Sequence, residues 1–281
     1  MPDDFRCSTA SRLDHEPMAG TALTDRAFLL VEHAGPWPRD APALLAGHVE
    51  VPHGIRVQLI RRHRAQPGRG LTVFLAWHDG ASYTVQTTFL SGLTELGGLD
   101  LAALAEGRSP GLTPYDEPLW LVCTNGRRDV CCAELGRPVT AALSRRWPGA
   151  TWETTHLGGH RFAGTLLALP SGITLGRLDP VTALAACADI DAGGHPLAST
   201  RGRAGLPPAV QAAEVHLLGE VGPPLVLTGT TVAGDLTEVR FDRASAVVHT
   251  SMGPPRRQSC ADLATKPVPV HLARTGLLSS T

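Results

Sequence analysis

The stretch from Cys123 to Gly164 constrains this 281-residue chain more than any other. It reads C-T-N-G-R-R-D-V-C-C, passes through a short helical segment, and ends in H-L-G-G-H-R-F-A-G. Two thiols, Cys123 and Cys132, therefore precede two imidazoles, His156 and His160. Cys123 closes an apolar run at 119–122 that reads as a strand, and His156 ends an expected strand at 151–155. Thiolate sulfur and neutral imidazole nitrogen are the donors that soft metals and iron–sulfur clusters take. Gly158 and Gly159 let the backbone between the histidines bend tightly, approach a cluster and offer N–H groups to sulfide. The set suits a two-iron, two-sulfur cluster and electron transfer. Tetrahedral zinc takes the same donors, although the Cys123-to-Cys132 spacing exceeds the short C-x2-4-C of zinc fingers. A third class, thiol oxidoreductase chemistry at Cys131 or Cys132, lacks a C-x-x-C pair.

Composition excludes several other classes. Charged residues make up 18% of the chain and the formal net charge is -1, so no global field draws it to nucleic acid or an anionic membrane. The Arg61-Arg62-His63-Arg64 run lacks the interleaved aromatics that stack on bases. No apolar run approaches the roughly 18 residues of a membrane helix, and Met1-Pro2-Asp3-Asp4 does not open a secretory signal. Six cysteines are too few for a disulfide scaffold. Three of them crowd at 123, 131 and 132, which favours metal or redox chemistry in a cytoplasmic setting. Cys187 and Cys260 carry no motif.

In chain order, residues 1–25 read as a polar strap and 27–31 as a buried strand. A helix is expected from Asp40 to about Gly47. Strands are expected at 55–61, 71–77 and 83–89, then a short helix at 101–106. The second half repeats that order. It has a strand to 122, a helix from Pro138 to about 146, strands at 151–155, 162–169 and 173–178, and a helix from 180 to about 188. The parallel suggests an internal duplication. A helix at 206–218, strands near 224–228, 236–241 and 246–250, and an extended arm over 260–281 complete the expectation. Arg127, Arg128 and Arg161 flank the donors, placed either to stabilise a reduced cluster or to present a basic docking face, with Asp129 expected to pair with one of them and hold the loop.

The strings V-C-T-N-G-R-R-D-V-C-C and H-L-G-G-H-R-F-A-G resemble the sucrase/ferredoxin-like family, as do L-L-V-E-H-A-G-P-W at 29–37 and R-G-R-A-G-L-P-P-A-V-Q-A-A-E at 201–214. The resemblance implies an α/β (α+β) protein containing a thioredoxin-like ferredoxin domain. On that basis residues 1–112 form a thioredoxin-like domain without ligands. Residues 113–200 form the cluster-binding domain, and 201–281 an extension packed on both. It implies a [2Fe–2S] cluster on Cys123, Cys132, His156 and His160, and a redox partner protein such as a ferredoxin reductase. The family pattern has one second Cys followed by Gly. Here Cys131 and Cys132 are adjacent and Ala133 follows, so Cys131 remains an alternative ligand. Histidine ligation implies a raised, pH-dependent potential, in the ~-150 to +300 mV range of Rieske centres. No paired-carboxylate site supports the glycoside hydrolysis in the family's name.

Overall fold

Runs of β-branched and aromatic residues with little charge can leave water only as strands covered on both faces. The computed structural model describes residues 4–64 and 68–278, so the first three residues of the expected strap and the last three of the expected arm lie outside it. In chain order the elements begin with α1 (Cys7–Leu13), β1 (Ala27–Glu32), β2 (Ile55–Arg61), β3 (Leu71–His78), β4 (Tyr83–Leu90), α2 (Leu101–Ala105) and β5 (Thr113–Pro114). The second half holds β6 (Leu119–Cys123), α3 (Val130–Arg146), β7 (Thr151–Thr154), β8 (Leu166–Leu169), β9 (Ile173–Leu175), α4 (Pro180–Asp191) and β10 (Thr200–Arg203). The remainder is α5 (Pro208–Val221), β11 (Leu227–Ala233), β12 (Leu236–Phe241), β13 (Ser245–Met252), β14 (Arg256–Arg257), β15 (Thr265–Lys266) and β16 (Pro269–Thr275). The protein is mixed α/β.

Ten strands form one sheet in the order β10-β9-β8-β6-β7-β2-β1-β3-β4-β5. Read outward from its middle, each half repeats one pattern. Parallel neighbours come first (β2 with β1, β7 with β6), followed by three antiparallel additions. The halves meet where β2 and β7 pair antiparallel at Ile60 with Thr154 and Arg61 with Glu153. The expected duplication is thus visible in the topology, and both repeats lie in one continuous sheet.

The sheet is strongly curled. β3 and β7 are three strand steps apart, about 14 Å in a flat sheet. Yet the Phe74 and Trp152 rings lie 5.7 Å apart. The inner face, with Phe28, Leu30, Leu121, Trp152 and Leu167, is therefore filled from both halves, and Cys123 and Cys132 belong to it. On the outer face of the second half, α3 and α4 cover Trp120, Val122 and Leu175. The helix α5 packs on a separate four-stranded sheet, β11-β12-β13-β16.

Three local expectations need correction. Residues 41–44 form a single 3-10 turn, not a helix to Gly47; Pro42 supplies no N–H and Gly47 takes a left-handed φ of 82°. The strap contains α1. The helix expected from Pro138 begins at Val130, because Asp129 accepts the Cys131 N–H as its cap and Pro138 sits inside. That moves Cys131 and Cys132 from a loop into a first helical turn.

The junction of the repeats is polar. Buried Glu153 receives Arg61 Nε at 2.8 Å and the Thr124 hydroxyl at 3.0 Å, and contacts His63 Nδ1 at 3.0 Å. Burial pushes its carboxyl up, but the bonds to His63 and Arg61 outweigh burial and hold it below the ordinary value. A depressed carboxylate contributes stability that is present above its unfolded pKa and lost as pH falls through the folded one. Glu153→Gln should lower stability at neutral pH by about 1–2 kcal/mol. Denaturant titrations should also show the wild-type advantage shrinking steadily below about pH 4.5.

Candidate metal centre

Each of the four expected donors sits where an element ends. Cys123 is the last residue of β6, Cys132 lies in the first turn of α3, and His156 follows β7 by two residues. His160 opens the 3-10 turn His160–Phe162. α3 approaches β6 closely because Gly136 faces the Cys123 carbonyl; a Cβ there would overlap that oxygen. One donor atom each from Cys123, Cys132 and His156 lies within 4.8 Å of the others. Cys132 Sγ is 3.9 Å from His156 Nδ1. His160 stands one step further out, its Nδ1 3.3 Å from His156 Nε2 and the two rings 4.9 Å apart.

The surroundings assign proton positions. The Nε2 of His160 hydrogen-bonds the Gln258 backbone carbonyl, which can only accept. Nε2 therefore carries the proton, and Nδ1 presents its lone pair toward the other donors. Burial, with the neighbouring His156 ring, lowers the His160 pKa and keeps that ring neutral. The Cys132 S–H bonded to Cys123 holds the Cys123 thiol well below its usual range, while the same bond and burial push Cys132 up. Cys123 thus reaches the thiolate form first. The thiols are fully buried and the histidine rings partly exposed, so the nitrogen side is the one open to solvent.

Gly158 and Gly159 both take left-handed φ, 72° and 61°. Behind them lies Arg201, fully buried, donating to the carbonyls of Gly158 (3.1 Å) and Thr21 and to the Thr21 hydroxyl (3.1 Å). Burial pushes its guanidinium down to about 9, still charged at neutral pH, and the sulfurs of Cys123 and Cys132 favour that charge. The 201–214 string gave no hint of this place for Arg201, and no pattern marks Gln258, which acts through its backbone.

Other assignments change. Cys131 points away from the four donors, toward Cys7, Cys260 and Asp129. Asp129 pairs with none of the flanking arginines; it caps α3 and accepts the Cys260 N–H at 2.8 Å. Arg128 instead bonds Asp40 at 3.0 Å, and Arg161 bonds Glu16 at 2.6 Å and the Gln258 side chain at 2.8 Å. Of the three, Arg127 is exposed and the other two are partly buried.

The sucrase/ferredoxin-like family model matches residues 18–190, well over half of the chain. The chain belongs to the sucrase/ferredoxin-like family. The matched span contains both sheet repeats up to α4 and all four expected donors, but not Cys7 or Cys260. No curated protein and no solved structure matches the chain. No described helix is long and apolar enough to cross a membrane.

Proposed function

We propose that this chain is a one-electron carrier whose [2Fe–2S] cluster is held by Cys123, Cys132, His156 and His160. The supporting observation is the donor set. One donor atom each from Cys123, Cys132 and His156 lies within 4.8 Å of the others, His160 Nδ1 stands 3.3 Å from His156 Nε2, and the Gln258 carbonyl fixes the outer ring's tautomer. These residues fit the group in number and type. When bound, it would supply a reversible one-electron couple. The chain does the rest. Buried Cys123 and Cys132 keep water from the sulfur side, Gly158 and Gly159 bring backbone close, and Arg201 places positive charge behind the turn. Thiols that must stay reduced suit a cytoplasmic setting.

Electrons would leave through the partly exposed histidines. A cleft of about 340 Å³ opens beside His156, lined by Arg39, Arg56 and Arg128 with Asp25 and Asp40. A redox partner protein, of the ferredoxin-reductase kind, would dock over it. Such mixed charge sets orientation and on-rate more than affinity.

Anaerobic purification with iron and sulfide analysis tests the reading; a colourless, iron-free protein would end it. Zinc is the second reading, favoured by the compactness of Cys123, Cys132 and His156, which could share one ion. The spectrum separates the two. A ring bound to metal releases its remaining N–H proton more readily from the oxidised than from the reduced state. The midpoint potential should therefore fall as pH rises through that ring's pKa, approaching about 59 mV per unit. His156→Cys and His160→Cys should keep colour but flatten the slope, as protein-film voltammetry would record.

A further inference from the structure

A second group of donors lies on the other side of Cys132. Cys7 from α1, Cys131 from α3 and Cys260 from the loop between β14 and β15 converge although 124 to 253 residues separate them pairwise. Their sulfurs stand 3.7 Å (Cys7 to Cys131), 3.3 Å (Cys131 to Cys260) and 3.5 Å (Cys260 to Cys7) apart. Asp129 Oδ1 lies 3.2 Å from the Cys260 sulfur and 3.6 Å from that of Cys7. One donor atom from each of the four residues falls within 4.8 Å of every other.

We propose that Cys7, Cys131, Cys260 and Asp129 form a second metal site, a closed tetrahedral zinc site that fastens both ends of the chain to the start of α3. A tetrahedron with zinc–sulfur bonds of about 2.3 Å has sulfur–sulfur edges of about 3.8 Å. The three sulfurs already stand within about half an ångström of that spacing, and the Asp129 oxygen closes the fourth corner. Around them sits the outer set of hydrogen bonds that orients thiolate and carboxylate ligands. The Ser8 hydroxyl donates to the Cys131 sulfur at 3.2 Å, and the Cys7 N–H to the Cys260 sulfur at 3.4 Å. The N–H groups of Cys131 and Cys260 hold the two Asp129 oxygens. Apolar Phe5, Leu135 and Ala163 wall the group.

A cation among the four would offset the repulsion that three thiolates and a carboxylate would otherwise suffer at these distances. Zinc needs no redox partner; binding releases the thiol protons to solvent. Four protein ligands with no open position describe a structural site, not a catalytic one. The strap and the C-terminal loop have no strand in the large sheet, so a cross-link here would secure both. The same loop carries the Gln258 carbonyl that faces His160, so it would also steady the first centre.

The test is metal analysis of the purified full-length chain. One zinc per chain should survive dialysis against a weak chelator. It should be lost from Cys7→Ser and Cys260→Ser and retained in Cys187→Ser and Cys132→Ser. Should the first centre hold zinc instead of iron, the wild type would carry two ions and Cys132→Ser one, so failure of the electron-carrier reading stays distinguishable. X-ray absorption at the zinc edge of the unaltered protein avoids any variant. Three sulfur and one oxygen neighbours are expected. Zinc with two sulfur and two nitrogen neighbours alone, no zinc at all, or a zinc-free chain lighter by the two hydrogens of a disulfide would each overturn the proposal.

Discussion

Cys132→Ser should leave the purified protein without iron or visible colour, and Cys131→Ser should leave both in place. The two residues are neighbours, but in the first turn of a helix successive side chains diverge by about 100°. Cys132 turns inward to the buried face it shares with Cys123 and Trp152. Cys131 turns to Cys7 and Ala163. No single metal centre can draw on both sulfurs. Serine is nearly isosteric, but it neither gives up its proton readily nor matches the softness of sulfur, so the change removes a ligand with little change in volume. Iron and sulfide per folded chain, with far-ultraviolet circular dichroism to confirm folding, measure the effect. Colour lost at 131 and kept at 132 would refute the assignment.

Gly159→Ala should be the most destabilising single change in the histidine turn. Its backbone is left-handed, a conformation that costs an L-residue about 1–2 kcal/mol. The added methyl would also collide with the Arg201 guanidinium. That group cannot step aside cheaply, because it is fully buried and serves the carbonyls of Gly158 and Thr21 together. Unpairing even one such carbonyl costs about 1–3 kcal/mol. A total near 2–5 kcal/mol should lower the melting temperature by about 10 °C and reduce metal loading. Gly47→Ala is the matched control. It shares the positive φ, at 82°, but meets nothing within 4 Å, so only the backbone cost should appear. Equal losses at both positions would show that Arg201 does not brace the turn.

These two predictions also show what could be read from the residues alone. The buried strands were legible because their apolar runs admit no other use. The candidate donors were legible as two pairs in one motif, and the structure brings Cys123, Cys132 and His156 together with His160 one step further out. Helix starts were not. Pro138 looks like a first-turn residue, yet the cap at Asp129 and the apolar face through Val139 and Leu143 carry the helix straight past it. The partners of Asp129 were hidden for a different reason. Cys7 and Cys260 lie more than 120 residues away in either direction, and isolated cysteines carry no local pattern. Arg201 and Gln258 act through packing and backbone, which leave no trace in spacing.

The seam between β2 and β7 has one more implication. Two copies of a small fold lying edge to edge form what in other proteins would be a homodimer, but here the copies share a single polypeptide. Their association is intramolecular, so it does not weaken on dilution. Where β6 ends on Cys123, β1 ends on Glu32, so the two copies carry different residues at the same place in the repeat. A true homodimer, with both copies read from one gene, could not have diverged in this way.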